Sequence, residues 1–275
     1  MPAALFPGIE TNYRGAHHAV LDAGAHVLAW TPRDQVAVLW VSPLAVFDPG
    51  VAVRGGIPVI FPWFGAGRSG ERTPAHGFAR TADWERVGLL DDLVQTGRLE
   101  VRHRLTDKGF DSPPFSAELV SEFTRDHLRV ALTVTNTGTD DFDYEEALHT
   151  YLAVSDVARI SLEGLDGCSY LDKVGGGEQV QAGPVRFTGE TDRVYSHTGD
   201  VVVDDPEWNR KIGVSKQGSA ITVVWNPGAV RGGAMADVAQ YWPGFVCVEA
   251  ANTGPRMVTI PPSGTHTLEQ TLELL

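Results

Sequence analysis

Apolar and polar residues alternate with a period of two over much of this chain. In Leu128-Arg129-Val130-Ala131-Leu132-Thr133-Val134-Thr135 the larger apolar side chains alternate with smaller or polar ones. That is the pattern of a strand with one face against a core and the other toward water. Phe115–Phe123 reads the same way, and Thr124-Arg125-Asp126-His127 between the two runs suits a hairpin turn. Further strands are predicted at 25–30, 36–41, 99–105, 157–162, 201–203, 221–225, 245–248 and 257–260, with a final one at 265–274.

Turn chemistry separates these runs. The 30 glycines and 17 prolines include Ser112-Pro113-Pro114, Gly175-Gly176-Gly177 and Pro261-Pro262-Ser263-Gly264, which stop strands at short intervals. No long amphipathic helix with caps stands out. Many strands and little helix predict an all-β fold, a sandwich of two antiparallel sheets. Without an internal repeat, a linker or a break in composition, one domain is expected over residues 1–275.

Charge narrows the partners. Thirty-five Asp and Glu against 22 Lys and Arg give a formal charge of -13, with no basic run to offset it. A nucleic acid would be repelled, whereas a small anion could still be held by a few arginines in one pocket. Cys168 and Cys247 form no CxxC or Cys/His pattern and no disulfide framework. The N-terminal stretch MPAALFPGIETNYRGAHHAV has no basic segment followed by an apolar one, and no apolar run approaches bilayer length. A cytoplasmic protein, monomeric and away from membranes, is the expectation.

Four stretches carry candidate chemistry. Arg54-Gly55-Gly56-Ile57-Pro58-Val59-Ile60-Phe61-Pro62-Trp63-Phe64-Gly65 joins permissive glycines, a guanidinium and two aromatics. It suits a sugar-contacting loop, with Trp63 and Phe64 as a face for pyranose C–H groups, and equally a tight loop with two core aromatics. Thr73-Pro74-Ala75-His76-Gly77-Phe78-Ala79-Arg80 places an imidazole and a guanidinium in a loop. In Glu145-Glu146-Ala147-Leu148-His149-Thr150-Tyr151-Leu152 a strand would set His149 and Tyr151 on one face, as a cleft floor or a bonded core histidine. Phe245-Val246-Cys247-Val248-Glu249-Ala250-Ala251-Asn252 ends an apolar run on a carboxylate, which is either at the strand's surface end or held where burial raises its pKa. Asp172 fits a turn as well as a site, and Asp192 with Arg193 fits a surface ion pair. No GxxxxGK[ST] phosphate loop, HExxH or GxSxG is present.

Together these stretches resemble the aldose 1-epimerase superfamily, in particular its glucose-6-phosphate 1-epimerase branch. The motifs are RGGIPVIFPWFG (54–65), PAHGFARTADW (74–84), ALHTYLAVSDV (147–157), YLDKV (170–174), TDRVY (191–195), VVWNPG (223–228) and FVCVEAAN (245–252), in family order. The resemblance implies a large antiparallel β-sandwich of the galactose mutarotase type with a sugar cleft on one sheet. It implies His149 as catalytic acid and Glu249 as catalytic base. Arg54, His76 and Asp172 fall on substrate-binding positions, and Arg80 on a phosphate-facing one. The implied substrate is a small-molecule sugar phosphate, with glucose 6-phosphate first, and no metal or redox cofactor is implied. Segment 229–237 is not assigned to the site. Rival expectations are a general aldose 1-epimerase acting on unphosphorylated sugar, a carbohydrate-binding protein without turnover, and a metal site built from His76, His149 and Glu249.

Overall fold

A computed structural model of the chain describes residues 7–275, so the first six residues of the N-terminal stretch read above lie outside it. Two eight-stranded sheets dominate. The first runs in the order Glu178–Val180, Ser169–Asp172, Thr191–Ser196, Ile221–Asn226, Phe245–Asn252, Glu146–Leu148, Val59–Ile60, with Tyr151–Ala153 also paired to Phe245–Asn252. The second runs Ser161–Glu163, Val201–Asp205, Arg210–Gln217, Thr265–Leu274, His127–Asn136, Phe115–Phe123, Arg98–Thr106, Glu85–Asp92. Every pairing within the two sheets is antiparallel.

The sheets pack face to face. Leu119, Leu132, Leu268 and Leu272 of the second sheet share one apolar core with Leu148, Val224, Val246 and Val248 of the first. Each such side chain taken fully out of water contributes about 1.5–3 kcal/mol. Phe115–Phe123 shows the expected alternation, buried at every odd position and half-buried at every even one. Phe245–Asn252 does not alternate: all eight residues are buried. Val246, Val248 and Ala250 point into the common core. Phe245 and Cys247 join an outer apolar cluster with Tyr151 and Trp225, and Ala251 joins a second one with Ile60, Ala147, Ile221 and Val223. Glu249 lies between those two clusters along the strand, and that position locates the site.

Most predicted strands form, several of them longer than expected, such as Arg98–Thr106 and Phe245–Asn252. The strand predicted at 36–41 does not: Val36 is exposed, and the chain there makes only single bridges, Leu39 to Leu152 and Val41 to Gly55. Of 157–162, only Ser161 and Leu162 are extended in a sheet, in the strand Ser161–Glu163. Helix is confined, among the described residues, to Gly228–Ala234 and three short 3-10 turns. No helix of the described residues is long and apolar enough to cross a membrane.

Candidate active site

Strand register places the two central residues. Leu148 pairs with Ala250 and Tyr151 with Cys247, so continuing the same register through the two residues between sets His149 opposite Glu249. The ladder is interrupted there. The N–H of His149 donates to Pro58 O at 3.1 Å and that of Thr150 to Leu148 O at 3.0 Å, while Val248 N still donates to Thr150 O at 3.2 Å. Nε2 of His149 comes 3.3 Å from Oε1 of Glu249, with the side chains 11% and 1% exposed. Nδ1 of His149 and Oε2 of Glu249 are buried and have no hydrogen-bond partner among the described residues. Such unpartnered buried atoms call for an explanation, and a catalytic role is one of those that meet it.

Burial also sets the charges. It pushes the Glu249 carboxyl well above the usual carboxylate range; nearby Asp192 pushes the same way and Lys173 opposes. It holds the His149 imidazole well below its usual value, with His76, Arg54 and Arg80 adding to the effect. The pair is therefore poised to share one proton, and neither group gains by being charged alone. Tyr151 stacks on the His149 ring at 4.9 Å and 15°, and Trp225 meets it edge-on at 6.0 Å.

A loop carries the next group. Gly56 and Gly77 have φ of +64° and +74°, and a Cβ on either would fall 2.2 Å from Val27 O or 2.0 Å from Phe61 O. Only glycine lets the chain approach so closely. His76 beside it also holds a positive φ, 68°. Its Nδ1 accepts the Gly65 N–H at 3.3 Å, which leaves the ring proton on Nε2. Burial, then Arg80, Lys173 and Arg54, lower its pKa to about 3, so the ring is a neutral donor. It meets the His149 ring edge-on at 5.8 Å. Among the described residues no three His, Cys, Asp or Glu side chains are grouped as metal ligands would be, His76, His149 and Glu249 included.

The arginines differ in what holds them. Arg54 donates from Nε to Asp237 Oδ2 at 2.9 Å and from a terminal nitrogen to the Tyr151 hydroxyl at 2.8 Å. Arg80 donates to Ala75 O at 2.7 Å, and its Nε is buried without a partner. Asp237 lies in the segment left unassigned from the sequence, where nothing local marks it. Lys173 sits 5.0 Å over the Phe64 ring, which also faces His76 edge-on. Trp63 turns away instead: it is buried, bonded to Pro74 O and packed on Phe78, as the core reading had it.

Strand register sets two acidic residues on opposite faces of the first sheet. Asp172, expected to bind substrate, accepts the N–H groups of Val174 and Gly175, both at 2.9 Å, and closes a turn. In register it stands opposite Arg193, one residue out of phase with Leu171, Val194, Val223 and Glu249, so it faces the other way. Asp192 pairs in register with Trp225, and Trp225 with Cys247, which puts it on the Glu249 face. It forms no ion pair with Arg193, which bonds Gln181 and lies over the Tyr170 ring. Period-two parity through the strand Thr191–Ser196 was the signal that could have found it. A cavity of about 920 Å³ lined by Trp63, Arg68, Arg72, Asp143 and Glu145 includes neither His149 nor Glu249, so volume alone would misplace the site.

Comparison with known proteins agrees with this architecture. The family model described as aldose 1-epimerase matches residues 9–273. A protein of Escherichia coli strain K12 named "putative glucose-6-phosphate 1-epimerase" is 37% identical over 235 residues, 83% of this chain and 77% of that one. Its namesake in Salmonella typhimurium strain LT2 is 34% identical over 246 residues, 86% of this chain and 80% of the other. The crystal structure of a "putative mutarotase" from Salmonella typhimurium superposes with a TM-score of 0.88 at 29% identity, covering 97% of this chain and 90% of that one.

Proposed function

The chain belongs to the aldose 1-epimerase family, a family that implies a sugar substrate, and from that premise we propose that it interconverts the α and β anomers of a hexose 6-phosphate. The observation that carries this reading is the opposed pair His149–Glu249, 3.3 Å apart and buried. Glu249, as carboxylate, takes the proton of the C1 hydroxyl. His149, as imidazolium, protonates the ring oxygen as the C1–O5 bond breaks. Rotation about C1–C2 of the open aldehyde and reversal of the two transfers close the other anomer. The reaction returns both protons, so the pair ends as it began.

Burial favours the form in which the shared proton sits on Glu249, and the reactive carboxylate–imidazolium form differs only by moving that proton across the pair. Net charge does not change, so the move needs no counter-ion. Sugar hydroxyls entering the site supply the hydrogen bonds that the reactive form lacks in the empty protein. Each positioned acid or base contributes about 10²–10⁴-fold.

The arrangement of cations supports a phosphate at C6. Arg54 and Arg80 act on His149, whereas Asp192 and Lys173 act on Glu249. In a pyranose C6 hangs from C5, next to the ring oxygen that His149 would protonate. The exocyclic group therefore falls on the arginine side. One observation favours an unphosphorylated aldose instead: Arg54 already has Asp237 as its counter-charge. Anomer exchange followed by NMR for glucose and galactose, with and without the 6-phosphate, separates the two. Equal kcat/KM for the two forms of each sugar would remove the phosphate from the reading, and no acceleration of any sugar would remove catalysis.

A further inference from the structure

We infer that Gln270, on the opposite sheet, is the residue that holds the His149–Glu249 pair in position. Its strand, Thr265–Leu274, runs behind the site, and the side chain is 2% exposed between the sheets. In a regular antiparallel ladder residues 150 and 248 would exchange two N–H···O bonds. Here only Val248 N to Thr150 O forms, because the Thr150 N–H has turned to Leu148 O. The Val248 carbonyl loses its ladder donor. Gln270 Nε2 replaces it, donating at 3.0 Å, while Gln270 Oε1 accepts the Thr150 hydroxyl.

One primary amide thus joins the residue that follows His149 to the residue that precedes Glu249, at the place where the ladder between them is broken. Leu268 and Leu272, two residues to either side on the same face, are fully buried apolar side chains. An apolar residue at 270 would fit that setting without needing partners, and an amide there is unfavourable unless both of its ends are bonded. Both are bonded, to the two strand segments that carry the acid and the base. The amide fixes the separation of these segments where the ladder does not.

This inference rests on the acid–base reading, so its test needs a readout of its own. Gln270→Met keeps the volume and removes both bonds. Expected are a fall in kcat of about 10- to 100-fold, the scale of a misplaced catalytic group, little change in KM, and a displaced titration of the His149 imidazole by NMR. Thr150→Val, which removes the hydroxyl, is expected to shift kcat and the titration in the same direction, and Thr150→Ser to restore them. A folded Gln270→Met with the wild-type kcat and the wild-type His149 titration overturns the inference, leaving Gln270 a filler of the core. Should Gln270→Met not fold, equal kcat and equal titration in Thr150→Val and Thr150→Ser overturn it instead. A wild-type protein that accelerates no anomer exchange sinks the acid–base reading, and the NMR comparison still judges Gln270.

Discussion

Nε of Arg54 donates to Oδ2 of Asp237 across 2.9 Å, joining residues 183 positions apart. The contact leaves Arg54 aimed and partly neutralised, with another of its nitrogens on the Tyr151 hydroxyl. Arg80 bonds Ala75 O and, among the described residues, forms no ion pair, although Asp237 lies near enough to act on it. The two arginines therefore have separable roles.

Arg80→Met is expected to raise KM for a hexose 6-phosphate about 10- to 100-fold, the scale of one lost charge-assisted hydrogen bond. KM for the unphosphorylated sugar should barely move. Arg54→Met should lower kcat for both substrates, because it frees Tyr151, which stacks on His149. Steady-state anomer exchange on the sugar with and without its phosphate reads both.

Glu249→Gln and His149→Asn should each reduce kcat by about 10² or more while leaving the far-ultraviolet spectrum unchanged. In the wild type, burial places the Glu249 pKa above its ordinary value and the His149 pKa below its own. The limbs of kcat/KM against pH are then reversed from those of the free side chains. Activity should survive below the usual histidine range and be lost on the alkaline side as the pair releases its last proton.

Glu249 also costs stability. Its folded pKa lies above the ordinary 4.5, so the folded state is favoured while the proton is held and loses ground as pH rises through the folded value. Glu249→Gln cannot ionise and escapes that loss. Its Tm should exceed the wild-type value by about 2–6 °C at alkaline pH and match it near pH 4.5, as scanning calorimetry would show.

Glu146 lies on the core side of the neighbouring strand, fully buried, with Oε1 accepting from Asn252 Nδ2 at 2.9 Å and 3.0 Å from His266 Nε2. The bond to Glu146 raises the His266 pKa, and burial raises that of Glu146. Both folded values lie above the unfolded ones, so the stability they contribute is present at low pH and lost as pH rises through them. Denaturant midpoints should fall as pH rises above the ordinary values, 4.5 for Glu146 and 6.5 for His266. His266→Ala, which removes one hydrogen-bond partner of a buried carboxyl group, should cost about 1–3 kcal/mol.

Much of this was legible in the residues alone. Period two at Phe115–Phe123 and Thr265–Leu274 predicted strands that form with those bounds, because alternation follows from the pleat and needs no knowledge of the partner strand. His149 and Glu249 stood out by residue type with a structural reading still open for each, and the family resemblance supplied their roles as acid and base. Asp172 and Asp192 show where that reasoning stopped. Both are aspartates near strand ends; parity marks the two faces of each strand, and the register running from Ser169–Asp172 through Thr191–Ser196 and Ile221–Asn226 to Phe245–Asn252 decides which face is that of Glu249.

By itself the sequence determined an all-β chain, its turns, and the side chains able to move a proton or bind a phosphate, since these depend on local periodicity and residue chemistry. Only the tertiary structure decided that His149 meets Glu249 from 100 residues away, that Asp237 aims Arg54, and that Gln270 closes the broken ladder behind the pair. Register between strands distant in sequence is chosen by how two whole sheets bury their apolar faces against each other. No single segment contains that information.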